Sequence, residues 1–241
     1  MLRLDKFLCD CGIDTRSEVK KYIKAKLITV NGDVASKPEM KIDETADIIC
    51  FKGQQITYEK YVYFLFHKPA GCVTAKQDNV HKTVMDYFPE EICAKDIAPV
   101  GRLDLDTEGL LLLTNDGPLT HHLLSPTHHV PKTYYAILDK EVPADAVEKF
   151  KVGVDIGDDK PTLPAELVIC PVEKNAEGMI YSAELTIHEG RFHQVKRMFE
   201  AVGCTVTYLK RLSMGSLLLG DLPKGEYRKL TEEEVRLLLN D

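Results

Sequence analysis

Four consecutive leucines, Leu110 to Leu113, constrain this chain more than any other stretch, because so short and apolar a run reads as a strand buried on both faces. The strand follows a turn, Gly101-Arg102-Leu103-Asp104-Leu105-Asp106-Thr107-Glu108-Gly109, and closes at the turn signal Asn115-Asp116-Gly117. A carboxylate held beside a rigid strand can act as nucleophile, general base or metal ligand. Taken alone, Asp104, Asp106 and Gly109 would be ordinary turn residues. A magnesium site of the Asp-x-Asp-x-Thr kind needs its threonine one position later than Thr107. It also needs an unbroken strand before Asp104, where Ala98-Pro99-Val100-Gly101-Arg102 is interrupted by proline and glycine. No metal is expected here.

A length of 241 residues suits two domains of unequal size. No apolar run approaches the roughly 18 residues of a membrane span, and the N-terminus lacks a charged-then-apolar leader pattern, so a soluble, cytoplasmic protein is expected. A monomer is expected as well. Seven scattered cysteines without a Cys-x-x-Cys pair read as reduced thiols. His121-His122 and His128-His129 lack a matching carboxylate or cysteine set and read as turn and surface residues, or at most RNA contacts.

The net charge of −7 argues against a protein that coats nucleic acid indiscriminately. Its distribution is uneven. Residues 1–26 carry seven Lys/Arg against four Asp/Glu and residues 186–216 five against two, whereas residues 139–166 hold eight acids against four bases. Basic patches on an acidic body favour local, shaped contacts with RNA.

At the N-terminus, Leu4, Phe7, Leu8 and Cys11 recur at helical spacing before Gly12. Thr15-Arg16-Ser17-Glu18 has the form of a capping box for a second helix with Val19, Tyr22 and Ile23 inward and lysines outward. Leu27 to Val30, Asn31-Gly32 and Asp33-Val34 read as a hairpin, a strand at about Asp47 to Phe51 would close a small sheet, and Gly53 to Lys60 reads as a linker. Expected domains are 1–59 and 60–241.

The larger part mixes elements without a βαβ repeat or a phosphate-binding glycine loop, which indicates an α+β fold. Strand candidates are Tyr61–Phe66, Leu110–Thr114, Thr133–Leu138, Ala165–Cys170 and Tyr181–His188. Helix candidates are Leu119–Leu124, Ala144–Val152 and Phe192–Val202. In the last, Phe192, Val195, Phe199 and Val202 form the expected buried stripe, opposite His193, Lys196, Arg197 and Glu200.

Gly101-Arg102-Leu103-Asp104 with Thr107-Glu108-Gly109-Leu110 closely resembles the catalytic motif of pseudouridine synthases. Phe66-His67-Lys68-Pro69-Ala70-Gly71, Lys132-Thr133-Tyr134, Glu189 to Phe199, and Leu209 to Gly215 with Arg211 are similar to the other blocks of that family, in its order. His193-Gln194-Val195-Lys196-Arg197-Met198 and Ser125-Pro126-Thr127-His128-His129 resemble its small-subunit ribosomal branch, from which His67 departs where asparagine is commoner. The two N-terminal helices and hairpin resemble the S4 RNA-binding domain through Arg3 to Leu8, Thr15-Arg16 and Val30-Asn31-Gly32.

The resemblance implies a long, mostly antiparallel sheet with a central cleft. It makes Asp104 the catalytic carboxylate, Lys196 its charge partner and Tyr134 the residue that stacks on the target base. Arg102 is expected to fill the place of an extruded uridine, because a planar guanidinium can stack there and hold a phosphate. RNA contacts are expected from Arg3, Lys6, Arg16, Lys20, Lys24, Lys132, Arg197 and Arg211, and Asp106 is expected to tolerate change. The implied activity is cofactor-free isomerisation of a uridine in small-subunit (16S) ribosomal RNA, free or in an assembly intermediate. Large-subunit (23S) RNA is the alternative target, and a non-catalytic S4-type assembly factor the alternative class.

Overall fold

A computed structural model describes residues 1–44, 46–56, 59–176 and 178–240. Two compact units divide the chain, residues 1–62 with 89–97 and residues 63–88 with 98–241.

The first unit contains β1 (Leu2–Arg3), α1 (Leu4–Asp10), α2 (Arg16–Lys24), β2 (Ile28–Val30), β3 (Asp33–Val34), β4 (Lys41–Ile42), β5 (Ile49–Phe51), β6 (Gln54–Gln55) and, from the later excursion, α3 (Glu90–Cys93). Leu4, Phe7, Leu8, Val19, Ile23, Ile28 and Ile49 form its core, so the helical spacing of apolar residues is what docks both helices on the sheet. Gly12, just past the C-cap of α1, adopts φ +73° and ends the helix, and Asn31-Gly32, both at positive φ, make the hairpin turn.

Two expectations need correction. Thr15 is the N-cap of α2, but its side chain makes no capping bond; its hydroxyl lies 3.1 Å from that of Ser17 instead. Part of the stretch read as a linker is strand, since β6 pairs with β5 across Lys52-Gly53, both at positive φ. Thr57 and Tyr58, also read as linker, lie outside the described residues.

The second unit contains β7 (Tyr63–Lys68), a 3₁₀ turn (Val84–Tyr87), β8 (Ala98–Pro99), β9 (Glu108–Thr114), α4 (Gly117–Leu124), β10 (Lys132–Leu138), α5 (Ala146–Val152), β11 (Glu166–Ile169), β12 (Glu173–Asn175), β13 (Gly178–Ile187), α6 (Gln194–Ala201), β14 (Val206–Met214), β15 (Leu217–Leu218), β16 (Tyr227–Lys229) and α7 (Glu232–Leu238). Its ten-stranded sheet runs β11-β13-β10-β14-β9-β7-β16, with β12, β15 and β8 paired to β13, β14 and β9. Every pairing is antiparallel except β14 with β9, so the architecture is α+β with a mixed but mainly antiparallel sheet.

All seven residues of β9 are buried. Leu110 and Leu112 join Leu65, Leu119, Leu123 and Met214 in one core cluster. Leu111 and Leu113 pair in register with Phe66 and Phe64, whose rings pack on Phe88 and Tyr87. Covering both faces of one strand explains a continuous leucine run where a half-exposed strand would alternate.

Candidate active site

The turn that feeds β9 is fixed from beneath by Lys68, whose side chain is fully buried at the end of β7. Its Nζ donates to the carbonyl oxygens of Pro69 and Asp104 at 3.0 Å, of Thr107 at 2.9 Å and of Leu105 at 3.4 Å. Burial pulls the Lys68 ammonium below the usual lysine range, while the gathered carbonyls give its protons acceptors in place of water. Thr74 adds a second tie, its hydroxyl donating to the Leu103 carbonyl at 2.8 Å, and the Leu103 side chain is buried. Asp104 is thus held at its backbone while its carboxylate stays partly exposed.

At the far end of the turn, Gly109 adopts φ +107°, and a Cβ there would meet the Arg211 carbonyl oxygen at 2.2 Å. The parallel contact of β9 with β14 therefore requires glycine. Across the sheet, Arg211 pairs in register with Gly109 on one side and Tyr134 on the other. Arg211 is buried and donates from Nε to the Leu110 carbonyl at 2.8 Å; its Nη2 has no partner among the described residues. Tyr134 is also buried. Lys132, two positions before it on β10, bonds the Val130 carbonyl at 2.9 Å and is pulled down to about 8 by burial, with the Arg211 charge adding to the effect.

The third side of the site comes from α6. Lys196 Nζ lies 3.5 Å from Asp104 Oδ2, as the expected pairing requires, but it lies 2.7 and 2.8 Å from the two oxygens of Asp106. The Lys196 ammonium holds the Asp106 carboxyl below its usual range. Asp106 is accordingly the nearer partner rather than a bystander. His193, which had only been placed on the polar side of the helix, brings Nε2 to 3.6 Å from Asp104 Oδ1. Asp104 is therefore flanked by an ammonium and an imidazole.

The N-terminal limit of α6 differs from the expected one. The helix starts at Gln194, His193 is left-handed at φ +48°, and Phe192 is 74% exposed instead of belonging to the buried stripe. Gln194 takes that place: it is buried, accepts from the Arg191 amide at 2.9 Å and donates to Glu189 at 3.0 Å. A glutamine whose amide is satisfied by the turn below it can be buried where its polarity alone would put it outside.

Other expected contacts divide into free and engaged side chains. Arg102 is exposed, with no side-chain partner among the described residues. Arg197 is engaged with Asp158 at 2.5 Å and with the carbonyls of Phe192 and Ile156. In the first unit, Arg3 grips the fully buried Asp5 through two bonds of 2.9 and 2.8 Å, Arg16 reaches the same carboxylate at 3.2 Å, and Lys6 pairs with Asp10 at 2.7 Å. Lys20 and Lys24 are exposed on α2 and enter no ion pair among the described residues. His67, at the departure from the resembled pattern, is buried and donates from Nδ1 to the Leu222 carbonyl at 2.7 Å.

Comparison with known proteins matches this arrangement to one family. Residues 62–201 match the RNA pseudouridylate synthase family and residues 2–48 the S4 domain. The chain is 42% identical over 98% of both chains to an RNA pseudouridine synthase of Bacillus subtilis, YtzG. It is 40% identical over 97% of its own length and 98% of the other to ribosomal small subunit pseudouridine synthase A of Escherichia coli. A crystal structure of a pseudouridylate synthase superposes with a TM-score of 0.66 at 37% identity, covering 99% of this chain and 100% of that one. On these matches, which run the length of the chain and take in the turn that carries Asp104, the chain belongs to the RNA pseudouridylate synthase family, with an S4 domain ahead of the catalytic body.

Proposed function

We propose that the protein converts one uridine of small-subunit (16S) ribosomal RNA to pseudouridine, acting as a cytoplasmic monomer on free RNA or an assembly intermediate. The observation that carries the reading is the placement of Asp104, a partly exposed carboxylate on an immobilised turn with Lys196 and His193 on either side. Relatives named for the small ribosomal subunit, similar over nearly the whole chain, favour 16S over 23S RNA as the target.

The reaction breaks the bond between C1′ and the base nitrogen, turns the base and rebuilds the link through C5, with no net oxidation. A carboxylate can serve by attacking C1′ or by taking a proton in an elimination across C1′ and C2′. Both need it ionised, and the Lys196 ammonium lies 3.5 Å from it. The ring assigned to stacking on the base is Tyr134, which is mostly buried at 8% exposure, and its neighbours Lys132 and Arg211 place positive charge on the same row. The Nη2 of Arg211 is a buried donor on that row with no partner among the described residues.

Stacked RNA hides both C1′ and C5, so the uridine must leave the stack at a cost of a few kcal/mol. Arg102, exposed and uncommitted on the same turn, is suited to occupy the vacancy. Residues 1–59 act as the RNA-binding part and 60–241 as the catalytic part.

Two measurements test the reading. Pseudouridine mapping in ribosomal RNA from a strain lacking the gene should show one site missing from 16S RNA; a loss confined to 23S RNA would reassign the target. Tritium release from RNA labelled at uridine C5 should vanish in Asp104→Asn while RNA binding persists. Substantial release by that variant would move the chemistry to another residue.

A further inference from the structure

Phe192 is an apolar ring that folding leaves mostly in water, on a backbone that folding does not leave free. Its carbonyl accepts from Arg197 Nη1 at 3.1 Å, and the preceding Arg191 is fixed by Glu189 at 3.0 Å and by the carbonyls of Lys160 and Pro161 at 2.7 and 2.9 Å. The ring stacks on His193 with centroids 3.8 Å apart and planes 16° apart, leaving its other face open. His193 adopts a left-handed φ of +48°, and in that conformation its imidazole both stacks on Phe192 and approaches Asp104. An exposed aromatic face on an immobile backbone loses little freedom on binding a flat partner.

We propose that the open face of Phe192, backed by the His193 ring, is a stacking platform for the RNA base next to the extruded uridine. The inference rests on the reading given above for Asp104. Position selects this occupant: His193 touches the ring on one side and approaches the Asp104 carboxylate on the other, so one side chain separates the platform from the carboxylate that faces the extruded uridine. Charge selects it as well. Arg191 and Arg197, the cations flanking Phe192 in the chain, are committed to Glu189 and Asp158 and to carbonyls of residues 156–161, so a base face rather than a phosphate is what this surface can hold. Aromatic stacking accepts any base, and the platform adds affinity and register without dictating the neighbouring letter.

The experiment uses the full chain and a small-subunit ribosomal RNA transcript labelled at uridine C5, comparing wild type with Phe192→Leu, Phe192→Tyr and Phe192→Trp. Phe192→Leu should weaken transcript binding by roughly 5- to 150-fold, the range for loss of one base-aromatic stack. The slope of log affinity against log salt should not change, because no phosphate contact is lost. Tyr and Trp should restore binding, and thermal unfolding should be the same in all four proteins because the ring is mostly exposed. Binding by Phe192→Leu within twofold of wild type, failure of both aromatic replacements, or self-association that depends on Phe192 would each overturn the platform. Absence of tritium release from the wild-type protein would instead overturn the reading of Asp104, and that result is independent of the binding comparison.

Discussion

Lys196 stands between two carboxylates, and its geometry changes what substitutions there should do. Removing its charge by Lys196→Met should lower kcat roughly 10²-fold, the scale for deleting one electrostatic partner in an active site. Asp106→Asn takes away the nearer partner and frees the ammonium to approach Asp104, so its effect should be severalfold and should disappear in the Lys196→Met background. Steady-state tritium release for both single variants and the double variant measures this. Additivity within about 0.5 kcal/mol would show that Lys196 serves each carboxylate separately. The sequence made Lys196 and Asp104 legible as a pair through the motifs that contain them. The share taken by Asp106 was hidden, because contact order along a turn does not reveal which of two carboxylates faces a helix 90 residues away.

Also at this scale, the basic face of α1 and α2 is partly structural. Arg3 and then Arg16 hold the buried Asp5 carboxyl down to about 2. A depressed carboxylate adds stability that is complete above the ordinary aspartate value and is lost as pH falls through the folded one, so this contribution, on the order of 2 kcal/mol, should drain away between about pH 4 and pH 2. Thermal unfolding of wild type against Asp5→Asn across that window should show curves that converge as the pH drops. Parallel curves would mean that the pair contributes nothing specific to the folded state.

Among the elements, those with a regular apolar period were readable and those built around polar function were not. β9 and β10 stood out through leucine and through alternation. β14 did not, although it lies between them: Val206-Thr207-Tyr208-Leu209-Lys210-Arg211-Leu212-Ser213-Met214 puts Lys210 and Arg211 mid-strand, and Arg211 is buried there with its Nε donating a hydrogen bond to the Leu110 carbonyl oxygen. The N-terminal limit of α6 was set one residue-pair too early because Phe192 continues the apolar spacing, whereas the left-handed His193 interrupts the helix. Capping motifs were equally ambiguous. Thr15 to Glu18 has the pattern without the side-chain bond, while Thr231 to Glu234, which was passed over, forms the full box at α7. The closest backbone approach, at Gly109, offers a direct test. Gly109→Ala should destabilise the second unit by at least about 2 kcal/mol, combining a strained φ with a clash against β14, as read by denaturant unfolding. A neutral result would show that β9 and β14 can separate without loss.

On the scale of the whole molecule, acidic composition and RNA binding coexist because positive charge is concentrated rather than abundant. No helix among the described residues is long and apolar enough to cross a membrane. Of the expected N-terminal contacts, Lys20 and Lys24 are the uncommitted ones, so each of Lys20→Gln and Lys24→Gln should reduce the slope of log affinity against log salt by roughly 0.7. Arg3→Gln should act mainly on stability. Equal slopes in wild type and the double lysine variant would return α2 to the role of a solvated surface.

The parallel pairing of β9 with β14 also has a consequence for biosynthesis. Arg211 and the Leu110 carbonyl it holds are 101 residues apart, so β9 and β10 leave the ribosome well before the strand that joins them. At about 5–20 residues per second, translation leaves that interval open for roughly 5–20 s, with two unpaired apolar edges for chaperones to cover. Asp104 is made before that interval opens, whereas His193, Lys196 and Arg211 are made only in its last fifth, so the surroundings of Asp104 are completed late.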